Sequence, residues 1–333
     1  MRREPHADSF SQLLVMDINL HSACVIGGTG FVGSHIVHLL AAHGVRARVP
    51  TRYRESAKEL IVLPTVEVVE ADIHEPAMLR QLVAGTDVVI NLVGILHERG
   101  VPGGFRRVHA ELPRKIVEAC RSEGVGRLVH MSALHADVNG ASAYLRSKGE
   151  GEKYVKDAGE SLAWTLFRPS VVFGSGDSFL SMFAQILRFA PVLALASPDA
   201  RFQPIWVEDV ARAFVDCILN DATFGQSYDL CGPTVYTLRE LVKYVGEVTG
   251  HRRPIVGLSD RLSYLQAMVM EWLPGPLMTR DNYYSMKKDS VCGCAFPGAL
   301  GFQPTAVEAV APRYLGDHDP RARYNDFRLR ARR

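Results

Sequence analysis

From about residue 20 onward, short apolar runs alternate with segments whose apolar residues recur every three or four positions. "ACVI", Ala23 to Ile26, has the length of a buried strand. After a glycine-rich turn, Ile36, Leu39 and Leu40 recur at helical spacing, and Gly44 closes that helix. The runs "RARVPTR", "VEVVEADI", "DVVINLVG" and "RLVHMSA" follow, separated by helical patterns such as "MLRQLVAG" and "ELPRKIVEACRSEG". "LAWTLFRPSVVFG" reads as a sixth strand with its exit loop. Strand and helix in turn predict an α/β protein with a doubly wound parallel sheet and helices on both faces.

Beyond residue 200 the order loosens. "RFQPIWVEDVARAFVDCILN" reads as a short strand and a helix that Glu208 or Asp209 starts; "QSYDLCGPTVYTLRELVKYVGEVTG" reads as a strand and a helix capped by Thr237. After residue 250 the pattern is helical and proline-rich. The expected organisation is an extension over 1–20, a nucleotide-binding domain over 21–235 with part of 170–200 bordering the cleft, a smaller helical subdomain over 236–315, and a basic tail over 316–333.

Composition narrows the function classes. A formal charge of +2 over 333 residues gives no basic face for nucleic acid. No run of about 18 apolar residues is available to span a bilayer. The six cysteines are scattered and lack paired zinc spacing, so they are expected as free thiols in a reducing cytosol. His130, His135 and His97 lack metal-ligand spacing too; they read as surface or strand-end histidines, and no metal is expected. The first residues have no signal-peptide core. These features fit a cytoplasmic protein.

The glycine turn supplies the first chemistry. Gly27, Gly30 and Gly33 form G-x-x-G-x-x-G between a strand and a helix. The first permits a tight turn, the second lets backbone approach a pyrophosphate, and the third lets helix pack on strand. The helix N-terminus then faces the phosphates. With Thr29, Phe31 and Val32 these residues are candidate contacts in a Rossmann-like dinucleotide site. At the end of the second strand "PTRYR" offers Arg52 and Arg54 where an acidic residue would select NAD. A guanidinium there predicts a preference for NADP(H) over NAD(H). Asp72 and Ile73, ending the third strand, are expected beside the adenine. Asn91 and Val93, in "NLVG", are expected at the cofactor face of the fourth.

Tyr144 and Lys148 stand four apart in "SAYLRSKGEGE", on one helix face. An ammonium beside a phenol lowers the phenol's pKa from about 10, so that it can exchange a proton near neutral pH. Ser132, just after the fifth strand, has a hydroxyl that could bind the same substrate oxygen. The alternative is a polar pair on a helix surface.

Together "GGTGFVG", Ser132, "YLRSK", "RPSVVFG" and "QPIWVEDVA" resemble the short-chain dehydrogenase/reductase superfamily, in its extended or atypical, epimerase/dehydratase-like branch, over about residues 20 to 250. The resemblance implies Ser132, Tyr144 and Lys148 as the catalytic set, and nicotinamide contacts from backbone near Pro169 and Val171. "HMSALHA", "FRPSVVFGSGDSFLSMFA" and "PLMTRDNYYSM" are similar to a narrower group, the NADPH-binding accessory subunit of respiratory complex I and its bacterial relatives. That group implies two roles: an oxidoreductase acting on a small molecule, or a protein that holds its nucleotide structurally within a respiratory complex. "PTRYR" departs from the acidic residue of NAD-using epimerases, which weakens a sugar-nucleotide epimerase or dehydratase reading; Arg252, Arg253 and Arg280 are the cations it would need. Asp177, in "FGSGDSF", either faces the substrate cleft or caps its own turn.

Residues 259–278, "SDRLSYLQAMVMEWLPGPLM", are rich in Met, Leu and Trp. They either pack on their own domain, cover the cleft of an apolar substrate such as a quinone or lipid-like ketone, or touch a membrane surface through a helix that Pro274 and Pro276 keep short. The tail arginines, Arg321, Arg323, Arg328, Arg330, Arg332 and Arg333, are either solvated or bind an anionic surface, which would place the protein at the inner membrane's periphery.

Overall fold

A computed structural model describes residues 20–98, 103–273 and 277–316. Seven strands form one sheet: β1 (Ser22–Ile26), β2 (Arg46–Thr51), β3 (Val66–Glu70), β4 (Val88–Asn91), β5 (Arg127–Met131), β6 (Ala163–Pro169) and β7 (Gln226–Leu230). Their order is 3-2-1-4-5-6-7 and every pairing is parallel. A parallel sheet is covered on both faces, so its central strands read as unbroken apolar runs; all four residues of β4 are buried.

The longer helices are α1 (Phe31–Ala42), α2 (Pro76–Val83), α3 (Leu112–Glu123), α4 (Ala143–Lys156), α5 (Leu180–Phe189), α6 (Val207–Asp216), α7 (Leu238–Val248), α8 (Asp260–Glu271), α9 (Arg280–Ser285) and α10 (Val307–Leu315). One face of the sheet packs with Ile36 and Leu40 of α1 and Phe214 of α6. The other packs with Leu79 of α2 and Ile116 of α3. The chain reverses direction across the sheet between β1 and β4, and ligands of open α/β sheets sit at that switch, beyond the carboxyl ends of the strands.

A third apolar core joins two stretches of chain. Phe173, Leu180, Phe183 and Leu187 pack there with Leu241, Val245, Val310 and Leu315. Leu193–Leu195 pairs with Ile255–Gly257, so residues between β6 and β7 belong structurally with the C-terminal part. Thr237 caps α7 with a reciprocal Glu240 bond, as its sequence predicts.

Several expectations change. Leu20, expected in the extension, is 5% exposed and joins the main core; the rest of the extension lies outside the described residues. Trp206, not Glu208 or Asp209, is the N-cap of α6; both acids fall in its first turn, where the helix dipole favours them. Cys231 and Cys292 form a disulfide rather than free thiols, with Cα atoms 6.1 Å apart. Tertiary pairing brings them together: Ser290 bridges to Phe202, and Ser170 Oγ donates to Ser290 O at 2.8 Å. Cys24, Cys120 and Cys217 are buried thiols, and Cys294 is exposed.

Helix α8 buries only one side: Ala267 is buried and Tyr264, Met268 and Met270 are half-buried. Only Ser263 and Ala267 are buried along it, while Leu262, Leu265, Val269 and Trp272 are exposed, the last at 87%. Among the described residues no helix is long and apolar enough to cross a membrane. Pro274, Pro276 and the tail arginines lie outside the described residues.

Candidate active site

The turn after β1 is built as its spacing requires. Gly27 has φ +87°, a conformation L side chains rarely adopt. A Cβ on Gly33 would lie 2.3 Å from Gly27 O, so α1 sits against the turn too closely for any side chain. Gly30 is the N-cap of α1 and is exposed, with Thr29 and Phe31 partly exposed on either side. Val32 is buried. Gly28, which the pattern did not single out, is equally confined, with its Cβ position 2.9 Å from Val49 Cγ1.

Arg52 and Arg54 are exposed just past β2. His74 marks where cations collect nearby. Its pKa is lowered, first by burial, then by Arg107, with Lys115 and Arg52 adding to the effect. Lys115 Nζ donates to His74 O at 2.8 Å. Asp72 is exposed and caps its own turn, accepting from His74 N at 2.9 Å, and Ile73 packs against the α2–α3 core.

Asn91, ending β4, is 1% exposed. Its Nδ2 meets His130 Nδ1 at 3.0 Å, and its Oδ1 accepts from Val93 N at 3.2 Å. Of the two expected settings, surface or strand end, His130 has the second: it is buried, one residue before the end of β5. Burial, then Lys148, pushes its pKa down to about 3. His135 remains partly exposed, with Nε2 2.8 Å from Asp289 O.

Tyr144 and Lys148 share one face of α4; the Tyr144 ring packs on Phe105 and His109, and Lys148 reaches the sheet. Lys148 is 4% exposed, and Nζ donates to Met131 O at 3.2 Å. The same Nζ lies 3.2 Å from where a Gly94 Cβ would stand, at the carboxyl end of β4. Burial pulls its pKa down to about 8 against the opposing pull of Glu152. The expected lowering of the tyrosine pKa does not occur. Burial first, then the Asp281 carboxylate, pushes Tyr144 up to about 12. The ammonium is committed to Met131 O, and loss of solvent around the phenol dominates.

Two further residues complete the surroundings, and neither stood out in the sequence. His109 lies in a π-helical turn, Arg107–Glu111, a feature often found at functional sites. Its Nε2 accepts from Ile95 N at 3.0 Å, which leaves the proton on Nδ1, 2.9 Å from Ser147 Oγ. Its ring stacks on Phe105 and meets Tyr144 edge-on at 5.4 Å. Burial, then Lys148, pushes its pKa down to about 2, so it is neutral. Glu152, one turn past Lys148, is 3% exposed and accepts from Arg168 Nε at 2.7 Å and Lys156 Nζ at 3.0 Å. Burial alone would raise its pKa; Arg168, with Ser132 and Lys156, lowers it. Four-residue spacing from Lys148 was the sequence signal for Glu152; no spacing marks His109.

Ser132 is 2% exposed, and its Oγ makes no well-formed hydrogen bond. Its influence on Glu152 sets it beneath α4, on the same side of the strand as His130. Pro169 O accepts from Leu134 N at 3.1 Å, and Val171 O from Ile205 N at 2.9 Å, which ties that loop to the chain just past β5 and to Ile205. Asp177 caps its turn, accepting from Gly174 N, Ser181 N and the Tyr314 hydroxyl.

Comparison with known proteins agrees with this architecture. Residues 23–231 match the family model described as the NAD dependent epimerase/dehydratase family. A mitochondrial NADH dehydrogenase [ubiquinone] 1 alpha subcomplex subunit 9 from Mus musculus is 31% identical over 315 residues, covering 89% of this chain and 80% of the relative. A ceramide reductase from Caulobacter vibrioides is 31% identical over 236 residues, 71% of this chain and 73% of that protein. Among solved structures, an NADPH-dependent quinone oxidoreductase from Escherichia coli, complexed with NADPH, has a TM-score of 0.69 at 21% identity, covering 87% of this chain and 98% of that one. The glycine turn, the parallel sheet and these matches have one reading: the chain belongs to the NAD dependent epimerase/dehydratase family, with its Rossmann-like, NAD(P)-binding fold.

Proposed function

We propose that the protein is an NADPH-dependent reductase of an apolar carbonyl or quinone-like substrate. The observation that carries the reading is the setting of Lys148, buried and against Gly94 at the switch of the sheet, on the same helix face as Tyr144. A solvated surface pair would have neither burial nor that position.

The nicotinamide, when bound, supplies a hydride to the substrate carbon. Tyr144 holds its proton through neutral pH and donates it to the oxygen that becomes negative, as a general acid. Lys148, cationic below about 8, would anchor the nicotinamide ribose and keep a positive charge on the Tyr144 face of the helix. His109 and Phe105 wall the phenol from water. Glu152 and Arg168 brace the helix from below, and Ser132, whose buried Oγ makes no well-formed hydrogen bond among the described residues, would position the substrate oxygen. Gly27, Thr29, Gly30, Phe31, Val32 and Gly33 would hold the pyrophosphate. Asp72 and Ile73 would border the adenine, Asn91 and Val93 the nicotinamide side, and Pro169 and Val171 the carboxamide. Arg52, with Arg107 and Lys115 nearby, supports the NADP(H) preference.

The apolar substrate class is supported by the exposed apolar side chains of α8 and by the ceramide-reducing and quinone-reducing similarities. The test is NADPH oxidation across apolar ketones and quinones, with Tyr144→Phe beside the native protein. Turnover that survives in the variant refutes the assignment.

A second reading has one specific support, the similarity to the mouse respiratory subunit over 89% of this chain. There the nucleotide would be a structural ligand, within a complex at the membrane periphery. Retention of bound NADPH for hours against labelled NADPH would favour it; exchange in seconds would favour catalysis. The sugar-nucleotide reading has weaker support. Arg253 is tied to Leu187 O, and Arg280 to Glu271 beside α4, so the cations do not converge.

A further inference from the structure

Helix α4 begins beneath α9, and its first amides do not end in water. Ser142 Oγ accepts from Leu145 N at 3.1 Å. Ala143 N and Tyr144 N donate to the two oxygens of Asp281 at 2.7 and 3.2 Å. Asp281 comes from the C-terminal part of the chain, 137 residues after Tyr144. Its seat is held from several sides. Thr279 and Asn282 form a reciprocal cap on α9. Ser285 Oγ donates to Ser142 Oγ at 2.8 Å, and Arg280 Nε donates to Glu271 at 2.7 Å. A carboxylate at a helix N-terminus is favourable in itself. Here it also brings a negative charge to the residue the proposed reaction uses.

We infer that Asp281 is a positioning residue for Tyr144: from the C-terminal segment it caps α4 and fixes, by geometry and charge, the phenol as a proton donor. The inference rests on the reading of Tyr144 as the proton-transfer residue. His109, whose ring meets the phenol edge-on, is neutral, and Lys148, one turn along the helix, is cationic and turned to Met131 O. Asp281 opposes formation of a second negative charge beside it, and burial acts in the same direction. Seating of α9 therefore couples the C-terminal subdomain to the state of the site. With α9 in place the phenol keeps its proton until a substrate oxygen takes it. With α9 displaced, the cap and the charge leave together.

The test replaces Tyr144 with difluorotyrosine, whose phenol ionises at lower pH, and follows its ¹⁹F resonance against pH. Asp281→Asn keeps an acceptor for one of the two amides and removes the charge. It is expected to lower the titration midpoint by about one unit. Asp281→Glu should restore the midpoint. If Asp281→Asn fails to fold, Thr279→Val loosens the seat of α9 without touching the carboxylate and should shift the midpoint in the same direction by less. An unchanged midpoint in the folded variant, whatever its melting temperature, overturns the inference, because capping alone would leave the phenol's acidity as it was. Failure of the reductase reading is separate: it appears as NADPH turnover that survives Tyr144→Phe, and the ¹⁹F titration does not depend on it.

Discussion

Tyr144 and Lys148 have opposite fates although they share a helix face. Burial raises the phenol to about 12 and lowers the ammonium to about 8. Each shift favours the neutral form, which is what loss of water does to any ionisable group. At neutral pH both still carry their protons, the combination a carbonyl reduction requires. Tyr144→Phe should therefore lower turnover by about a hundredfold or more, with NADPH binding nearly unchanged. The pH profile follows from the lysine. Its folded value is depressed, so the cation is present below about 8 and lost above it. With the phenol still protonated there, kcat/KM should fall as pH rises through about 8. A flat profile to pH 10 would show that the ammonium charge has no part in catalysis.

At the scale of elements, the strand–turn–helix after β1 is the most constrained piece of the fold. Gly33→Ala puts a methyl 2.3 Å from Gly27 O, and backbone, not a flexible side chain, would have to move. The expected cost is about 1–3 kcal/mol of stability, with weakened nucleotide binding; thermal melting with and without NADPH reads both. Helix α4 depends on supports from elsewhere in the chain: Asp281 above its N-terminus and Arg168 beneath Glu152. Neither partner was recognisable as such in the sequence. In the sequence "TRDN" has no evident partner, and the arginine of "FRPS" is an ordinary strand residue until β6 lies beside α4.

For the whole molecule, the nucleotide should couple to global stability, because only the folded sheet presents the switch between β1 and β4. A ligand at about a hundred times its Kd adds about 2.7 kcal/mol. NADPH should therefore raise the melting temperature, and NADH at the same concentration should raise it less. Arg52→Ala should erase that difference. Equal shifts from both nucleotides in the native protein would remove the proposed NADP(H) preference.

The sequence by itself determined the α/β alternation, the parallel sheet, the glycine turn and the Tyr144–Lys148 face. These depend on local spacing: period-two or unbroken apolar runs, helical recurrence, and glycines where backbone must pass close to backbone. Tertiary structure alone decided which residues surround that face. His109 reaches Tyr144 through a π-helical turn, Asp281 reaches it from the far end of the chain, and Cys231 meets Cys292 across 61 residues. It also decided the acidity of the phenol. Spacing shows that a lysine is near; it does not show how much water is lost around each group, and that loss sets the direction of both shifts.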